Sequence, residues 1–399
     1  MATIALIAAR YPTLSETFVR QDVENLRREG HEVRVVALRH GRLSHDSPDL
    51  CAYQTGWWIT LWFSLLRYPL LFIGHLCAAL KLMLTLGDAT SLIDRLKLPI
   101  QAAAATRVAG WLARQDVDHI HAHFAHAPAT FALMMAGRLK VPFSFTGHAN
   151  DLFARRALLK TKLRDAAFIA CISRWHRDFY RSLVERDDDA YPIIHCGIDL
   201  QQFPACPPPR LEPPVTLITI ARLVEKKGID RLLEAFAELP AGQCELRVVG
   251  DGPARPRLEA LSQRLGLDDR VVFLGPAAHS QVLNLLAESE IFVLPCRTTD
   301  GGDRDGIPVA LMEAMATQRP VIAGDLPAIR ELITHEETGL LVESNRPGAV
   351  SAAITRLIND PVSARDMARK GRKCIEETFS ARTNGARLSA AIESAGGNA

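Results

Sequence analysis

The sequence predicts an α/β protein in two halves, each a parallel sheet covered by helices. Three observations predict it. Short apolar runs rich in β-branched residues alternate with helical stretches along nearly the whole chain, the rhythm of strand–helix–strand crossovers. Residues 203–214 carry six prolines, so neither a helix nor a central strand can pass through them. The length, 399 residues, favours two domains over one. The expected division is an N-terminal domain over 1–205, a C-terminal domain over 206–378 and a last helix, 379–399, packed back on the N-terminal domain.

In the first half, residues 4–9 read as a buried strand, 16–29 as a helix stopped by Gly30, and 31–38 as the second strand. A helix over 101–115 leads to a strand at 118–123, a helix over 127–139 leads to one at 142–146, and strands at 168–173 and 191–196 complete the set. The second half opens with a strand at 215–220, then a helix at 229–237 and a strand at 244–249. The turn Gly250-Asp251-Gly252-Pro253 leads into another helix. Strands follow at 271–274, 291–295, 319–323 and 339–342, and the last helix covers 381–395. Parallel sheets of this kind bind ligands at the carboxyl ends of their strands.

Composition excludes other classes. A net charge of +2 is too small to argue for nucleic acid as a partner. Hydrophobic content of 48% and charged content of 23% are ordinary for a soluble globular chain. The eight cysteines are scattered and none forms a C-x-x-C pair, so the expectation is reduced thiols in a cytoplasmic protein. The N-terminus passes directly into a strand without the basic start of a signal peptide.

Residues 55–95 depart from this average. Trp57, Trp58, Trp62 and Tyr68 stand among apolar runs interrupted by Arg67, His75 and Lys81. The uncharged runs are too short for a membrane-spanning helix. Two readings are open. Residues 57–86 contact a membrane surface peripherally, at the inner face of the cell membrane, as Trp, Tyr and basic residues suit; or they form a helical hairpin packed on their own domain. The first is preferred, because so dense an apolar segment otherwise needs much protein to cover it.

The most informative stretch is Arg304-Asp305-Gly306-Ile307-Pro308-Val309-Ala310-Leu311-Met312-Glu313-Ala314-Met315. Two carboxylates, Asp305 and Glu313, flank a Gly and a Pro and then a helical apolar run, between two expected strands. A loop that opens a helix presents free amides and the positive end of the helix dipole, a place to hold a diphosphate. Glu313, two turns further in, is placed to accept hydrogen bonds from hydroxyls such as those of a ribose. The arrangement suits a nucleotide sugar.

The second half resembles the C-terminal domain of the retaining glycosyltransferases of family 4. The resemblance rests on Ala221-Arg222-Leu223-Val224-Glu225-Lys226-Lys227-Gly228, Val249-Gly250-Asp251-Gly252-Pro253, Val271-Val272-Phe273-Leu274-Gly275, the two-acid stretch, Pro320-Val321-Ile322-Ala323 and Glu336-Glu337-Thr338-Gly339-Leu340-Leu341-Val342. In the first half, Pro12-Thr13-Leu14-Ser15-Glu16-Thr17-Phe18, His121-Ala122-His123-Phe124 and Phe143-Ser144-Phe145-Thr146-Gly147-His148-Ala149-Asn150-Asp151 are similar to the exopolysaccharide branch, including the colanic-acid type. The resemblance implies the GT-B fold, two Rossmann-like domains whose parallel sheets face across a cleft that closes on the donor.

It also implies roles. Arg222 and Lys227 bind the donor diphosphate; cations are disfavoured at a helix start, so a bound anion explains them better than solvation does. Glu313 reads the ribose. Asp305 matches an acid that is usually Glu, one methylene longer, so its sugar contact shifts or runs through water; alternatively it is a plain N-cap. Amides of Gly306, Ile307 and Val309 are donors to sugar or phosphate, while Pro308 lacks one and suits a first helical position. Gly250 and Gly252 shape a tight turn near the nucleotide. His148 contacts the donor sugar, and Asp151 either orients it or caps a helix. Ser15, Glu16 and Thr17 either meet the acceptor or form an N-capping run, and His123 lines the acceptor side. His119, His121 and His123 share one strand face, but no acid or Cys completes a zinc set, and no metal or other cofactor is expected.

The expected reaction is transfer of a glycosyl unit from a UDP- or GDP-linked sugar to a saccharide or lipid-linked saccharide in surface-polysaccharide assembly, with retention at the anomeric carbon. The alternatives are a UDP-sugar epimerase of the same fold, a non-catalytic nucleotide-sugar-binding protein, and a nicotinamide oxidoreductase. The last needs Gly-x-Gly-x-x-Gly after the first strand, where this chain has Ala9-Arg10-Tyr11-Pro12-Thr13.

Overall fold

The computed structural model describes residues 1–13, 17–41, 47–53, 57–84, 91–148 and 157–397. Among them are two six-stranded sheets in which every neighbouring pair is parallel. The first holds β1 (Thr3–Tyr11), β2 (Glu32–His40), β3 (Leu50–Cys51), β4 (His119–His123), β5 (Phe143–Gly147) and β6 (Phe168–Cys171), in the order β3-β2-β1-β4-β5-β6. The second holds β7 (Val215–Ile220), β8 (Cys244–Val249), β9 (Val271–Gly275), β10 (Ile291–Leu294), β11 (Val321–Gly324) and β12 (Leu340–Val342), in the order β12-β11-β10-β7-β8-β9. Counted from its own first strand, each runs 3-2-1-4-5-6. That is the doubly wound Rossmann order, whose ligand crevice lies outside the carboxyl ends where strands 1 and 4 diverge.

Helices cover the first sheet at α1 (Thr17–Arg28), α2 (Trp57–Arg67), α3 (Pro69–Met83), α4 (Leu92–Leu112), α5 (Ala127–Leu139), α6 (Leu159–Asp165) and α7 (Arg174–Leu183). The second has α8 (Ile229–Ala237), α9 (Arg255–Arg264), α10 (His279–Ala287), α11 (Val309–Ala316), α12 (Pro347–Asn359) and α13 (Pro361–Thr378), and α14 (Ala381–Gly396) ends the chain. Contacts divide the chain into two units, 1–197 with 381–399, and 198–380.

The division falls at 197/198 instead of 205/206, and the arginines explain why. Proline-rich backbone offers carbonyls but few amides. Here Arg365 donates to the carbonyls of Pro209 and Arg210, both at 3.0 Å, Arg372 to Phe203 at 3.1 Å, and Arg319 to Pro207. The segment is thereby part of the second unit. In the first unit, α14 lies on α1. Asn25 Nδ2 donates to the Ala381 carbonyl at 2.9 Å, His31 Nε2 and Ser389 Oγ lie 2.7 Å apart, and Leu388 and Ile392 share a core with Val23 and Leu26. Gly385 permits the approach, since a Cβ there would stand 2.5 Å from Asn25.

Other departures are local. The expected strand at 191–196 reduces to one bridge, Ile193 with Cys171. The helix expected at 101–115 begins at Leu92, where Ser91 caps it by accepting the Asp94 amide at 3.1 Å, and it runs through Pro99. α6, α7, α10, α12 and α13 form where no element was assigned. In α13 the buried stripe is Ala364, Met367, Ala368, Gly371 and Ile375, too small in side-chain bulk to stand out among the charges around it.

Residues 57–83 form two helices laid on their own unit. Ser64 Oγ donates to the Ala103 carbonyl at 2.7 Å, His75 Nδ1 lies 3.0 Å from Thr106 Oγ1, and Arg138 donates to the Gly74 carbonyl at 2.8 Å. Of the two readings of this segment, intramolecular packing therefore describes its inner side. No helix among the described residues is long and apolar enough to cross a membrane.

Candidate functional site

In the second unit the loop after β7 is set by glycines. Ala221 donates to the Val249 carbonyl and Leu223 to that of Asp251, each at 3.0 Å. Gly250, at φ +131°, lies so close that a Cβ would stand 1.9 Å from the Ala221 carbonyl oxygen, and a Cβ on Gly252 would stand 2.4 Å from that of Leu223. The two glycines thus shape the turn between β8 and α9 by packing it flat on the neighbouring loop. A 3₁₀ turn over Glu225–Lys227 then closes at Gly228, φ +68°, whose Cβ would meet the Pro295 carbonyl oxygen at 2.0 Å. Arg297 donates to the Lys226 carbonyl at 2.9 Å. The loops after β7 and β10 are therefore zipped together at the switch point of the sheet.

Charge is concentrated on this zipper. Lys227 Nζ lies 2.6 Å from Asp305 Oδ2; Lys226 Nζ lies 3.5 Å from Asp305 Oδ1 and 3.2 Å from Asp303 Oδ1. The Cys296 thiol donates to Asp305 Oδ2 at 3.3 Å. Burial raises the Asp305 carboxyl, but Lys227, Lys226 and the Cys296 hydrogen bond together outweigh it and hold the group below its ordinary 3.8. Burial likewise opposes the charge on Lys227, and Asp305 outweighs that too, so its pKa is raised. Burial pushes the Cys296 thiol up, which keeps it a donor. Arg222 is exposed and makes no ion pair among the described residues.

This arrangement revises two expectations. Asp305 does not cap a helix: α11 has Pro308 as its N-cap, in extended conformation and without a side-chain cap bond. Asp305 instead anchors Lys227, a role its short side chain suits. Pro308 accordingly sits one place before the first helical residue. The amides of Gly306 and Ile307 have no hydrogen-bond partner among the described residues, and Val309 opens the helix, so three donors are grouped at its positive end. Glu313 is buried further along α11, and burial pushes its carboxyl up to about 7.

The first unit carries a different cluster at the same station of its sheet. His123 ends β4 and pairs in register with Thr146; His148 follows β5 directly. His123 Nδ1 lies 3.5 Å from His148 Nε2, and the rings of Phe18 and Phe124 each stand 4.5 Å from that of His148. His123 Nε2 lies 3.5 Å from Asp22 Oδ2. Burial pushes His123 down to about 3 and His148 well below its ordinary value, so both rings are neutral, while it pushes Asp22 up to about 7. His123 is fully buried, so it supports His148 from behind instead of lining a surface for an acceptor.

Asp22 escaped the sequence reading. Its signal was available: it stands four residues after Phe18, one turn along the same face of α1. His119 and His121 each lie within 2.8 Å of Ser144 Oγ, and His121 Nε2 lies 2.9 Å from Thr146 Oγ1. No group of three His, Cys, Asp or Glu among the described residues is arranged to hold a metal ion. Ser15, Glu16 and Asp151 lie outside the described residues, as does the side chain of Thr17.

Comparison with known proteins follows this division. The family model for glycosyl transferases group 1 matches residues 208–374, and that for glycosyltransferase family 4 matches 15–202. A Corynebacterium glutamicum protein is 32% identical over 70% of this chain and 77% of its own length. It is named a GDP-mannose-dependent monoacylated alpha-(1-6)-phosphatidylinositol monomannoside mannosyltransferase. A Salmonella typhimurium protein named for colanic acid biosynthesis, the glycosyltransferase WcaL, is 28% identical over 88% of this chain and 89% of its own. Among solved structures, sucrose-phosphate synthase from Thermosynechococcus elongatus superposes with a TM-score of 0.74 at 19% identity, over all of both chains. Anabaena HepE in complex with UDP and glucose gives 0.73 at 17% identity, over 99% of this chain and all of its own. The fold shared with these structures is GT-B.

Proposed function

This chain belongs to the group 1 glycosyltransferases, and we propose that it moves a glycosyl unit from a nucleotide sugar, UDP- or GDP-linked, to a hydroxyl of a saccharide or lipid-linked saccharide, with retention at the anomeric carbon. The observation that carries the proposal is the tie of Lys226 and Lys227 to Asp305, directly before the amides of Gly306 and Ile307, unpartnered among the described residues, that lead into α11, on which Glu313 is buried; Arg222, exposed on the same loop as the lysines, is assigned to the diphosphate with them. Fixed cations and amides stabilise the charge that grows on a departing diphosphate. Glu313 accepts from the ribose hydroxyls, and Gly250 and Gly252 keep the neighbouring turn out of the nucleotide's way.

The names of the relatives support a role in building an exopolysaccharide or glycolipid. The location that goes with this reading is the cytoplasm, with residues 57–86 as a peripheral membrane contact. The UDP and UDP-glucose complexes among the structural neighbours support a nucleotide-linked donor. Asp305 is held by Lys227 and Cys296, which makes it a poor nucleophile. A front-face course fits this, in which the leaving phosphate oxygen takes the acceptor proton and the protein orients and stabilises charge. To the first unit the proposal gives the sugar contact of His148, steadied by His123 and Asp22. No metal is assigned a part.

The test is a screen of UDP- and GDP-sugars against the purified chain, with saccharide and lipid-linked acceptors, following released nucleoside diphosphate and anomeric configuration. Release of diphosphate with an α-linked product from an α-linked donor is expected. Conversion of a donor to its epimer without transfer, or the absence of any nucleotide-induced thermal shift, overturns the proposal.

A further inference from the structure

The helix pair at 57–83 and the first half of α4 are apolar on their outer side as well as on the side packed against their own unit. Facing their own unit are the apolar Phe72, Ala79 and Leu98 together with the polar Thr60, Ser64 and His75, these last three at most 2% exposed, with His75 meeting Thr106 of α4. Facing away are Trp62 at 59%, Leu66 at 77%, Leu70 at 84%, Leu84 at 78% and Leu92 at 72% exposed. A helix that lies between a protein core and water shows a polar outer side instead. Single exposed leucines need no explanation, but a continuous apolar surface over three successive helices marks an interaction site.

We propose that this surface seats the chain on an anionic membrane, with the apolar side chains entering the headgroup–acyl boundary and Arg67 and Lys81 meeting lipid phosphates. The proposal rests on the reading that the acceptor is lipid-linked, and deepens it by naming the surface and the lipid class. Charge favours a lipid occupant. Residues 57–84 contain no Asp or Glu, while Arg67 and Lys81 are both exposed. Asp94, the acid in the first turn of α4, is engaged by Lys97 at 3.1 Å and by the Ser91 hydroxyl at 2.7 Å. A second copy docked on this surface by two-fold symmetry brings the same cations face to face with no acid in 57–84 to offset them. The long Arg and Lys stems reach from an apolar surface to a polar layer, and the exposed Trp62 is a side chain of interfacial type. The helices lie on the bilayer and do not cross it.

The test is co-sedimentation of the full chain with vesicles of phosphatidylcholine alone or mixed with phosphatidylglycerol. Binding is expected to be stronger on the mixed vesicles and to fall with salt. Leu66→Gln and Leu70→Gln, singly and together, are expected to lower partition about tenfold for each leucine. Arg67→Gln with Lys81→Gln is expected to remove only the preference for phosphatidylglycerol. None of these residues belongs to either candidate site, so donor hydrolysis without vesicles stays at the parental rate. Failure of the parent chain to bind either vesicle, binding unchanged by the leucine substitutions, or a dimer that the leucine substitutions dissociate overturns the proposal. Vesicle binding by a chain that hydrolyses no nucleotide sugar leaves this surface standing and ends the functional reading; hydrolysis without vesicle binding does the reverse.

Discussion

At the end of β7 the second unit carries Lys226 and Lys227 as charged groups held by Asp305, whereas at the end of β4 the first unit carries His123 and His148 as neutral rings between Phe18 and Phe124. The two sheets have the same strand order, and both clusters sit where strands 1 and 4 diverge. Topology chose the station twice; it did not choose the chemistry. In the second unit Lys226 and Lys227 each have a carboxylate within 3.5 Å, so charge survives partial burial. In the first, aromatic rings exclude water and Asp22, the nearest acid, is itself pushed towards neutrality, so the imidazoles stay uncharged.

Four perturbations break or sharpen this contrast. The largest effect is expected from Lys227→Ala: turnover falls about a thousandfold or more, because a fixed cation at a departing diphosphate is lost. The fold persists, as circular dichroism will show; a near-parental rate removes Lys227 from the site. Second, Gly228→Ala is expected to cost about 3 kcal/mol in urea unfolding, because φ of +68° and the Pro295 carbonyl leave no room for a Cβ. A stable, active variant shows that the zipper between the β7 and β10 loops is dispensable.

Third, Glu313 titrates at about 7 in the fold and near 4.5 unfolded. A raised folded pKa contributes stability that is present below pH 4.5 and lost as pH climbs to about 7, some 3 kcal/mol in all (roughly 1.4 kcal/mol per pH unit). Glu313→Gln is expected to remove that loss, so its stability relative to the parent rises between pH 5 and pH 8, and nucleotide affinity drops. Parallel pH–stability curves for the two proteins contradict the assignment. Fourth and smallest, Asp22→Asn is expected to lower kcat about tenfold with donor KM unchanged and to alter the pH profile of kcat, as befits a group acting through His123. A variant with lowered stability but an unaltered pH profile reduces Asp22 to a packing residue.

Much of the fold was legible because its signals are local. Strands 215–220 and 244–249 were readable to the residue from β-branched runs, and Gly250, Gly252 and Gly228 marked turns that do need glycine. Arg222, Lys227 and Glu313 were singled out through the family resemblance, and their roles stand as proposals. Asp22 was not, because its partner His123 lies far along the chain. The tie between Lys227 and Asp305 was hidden for the same reason, and of the two readings of Asp305 the helix cap is the one the structure removes. The segment 57–83 resisted reading because it is apolar on all sides, so periodicity shows no face.

By itself the sequence determined two parallel α/β halves and most of their strand positions, since propensity, turn chemistry and short-range spacing are encoded residue by residue. Tertiary structure decided which distant groups touch, which carboxyls remain ionised, where the proline-rich segment and the last helix belong, and which side of the apolar helices faces out. Those outcomes depend on burial and on partners brought from remote parts of the chain, and neither has a local signature.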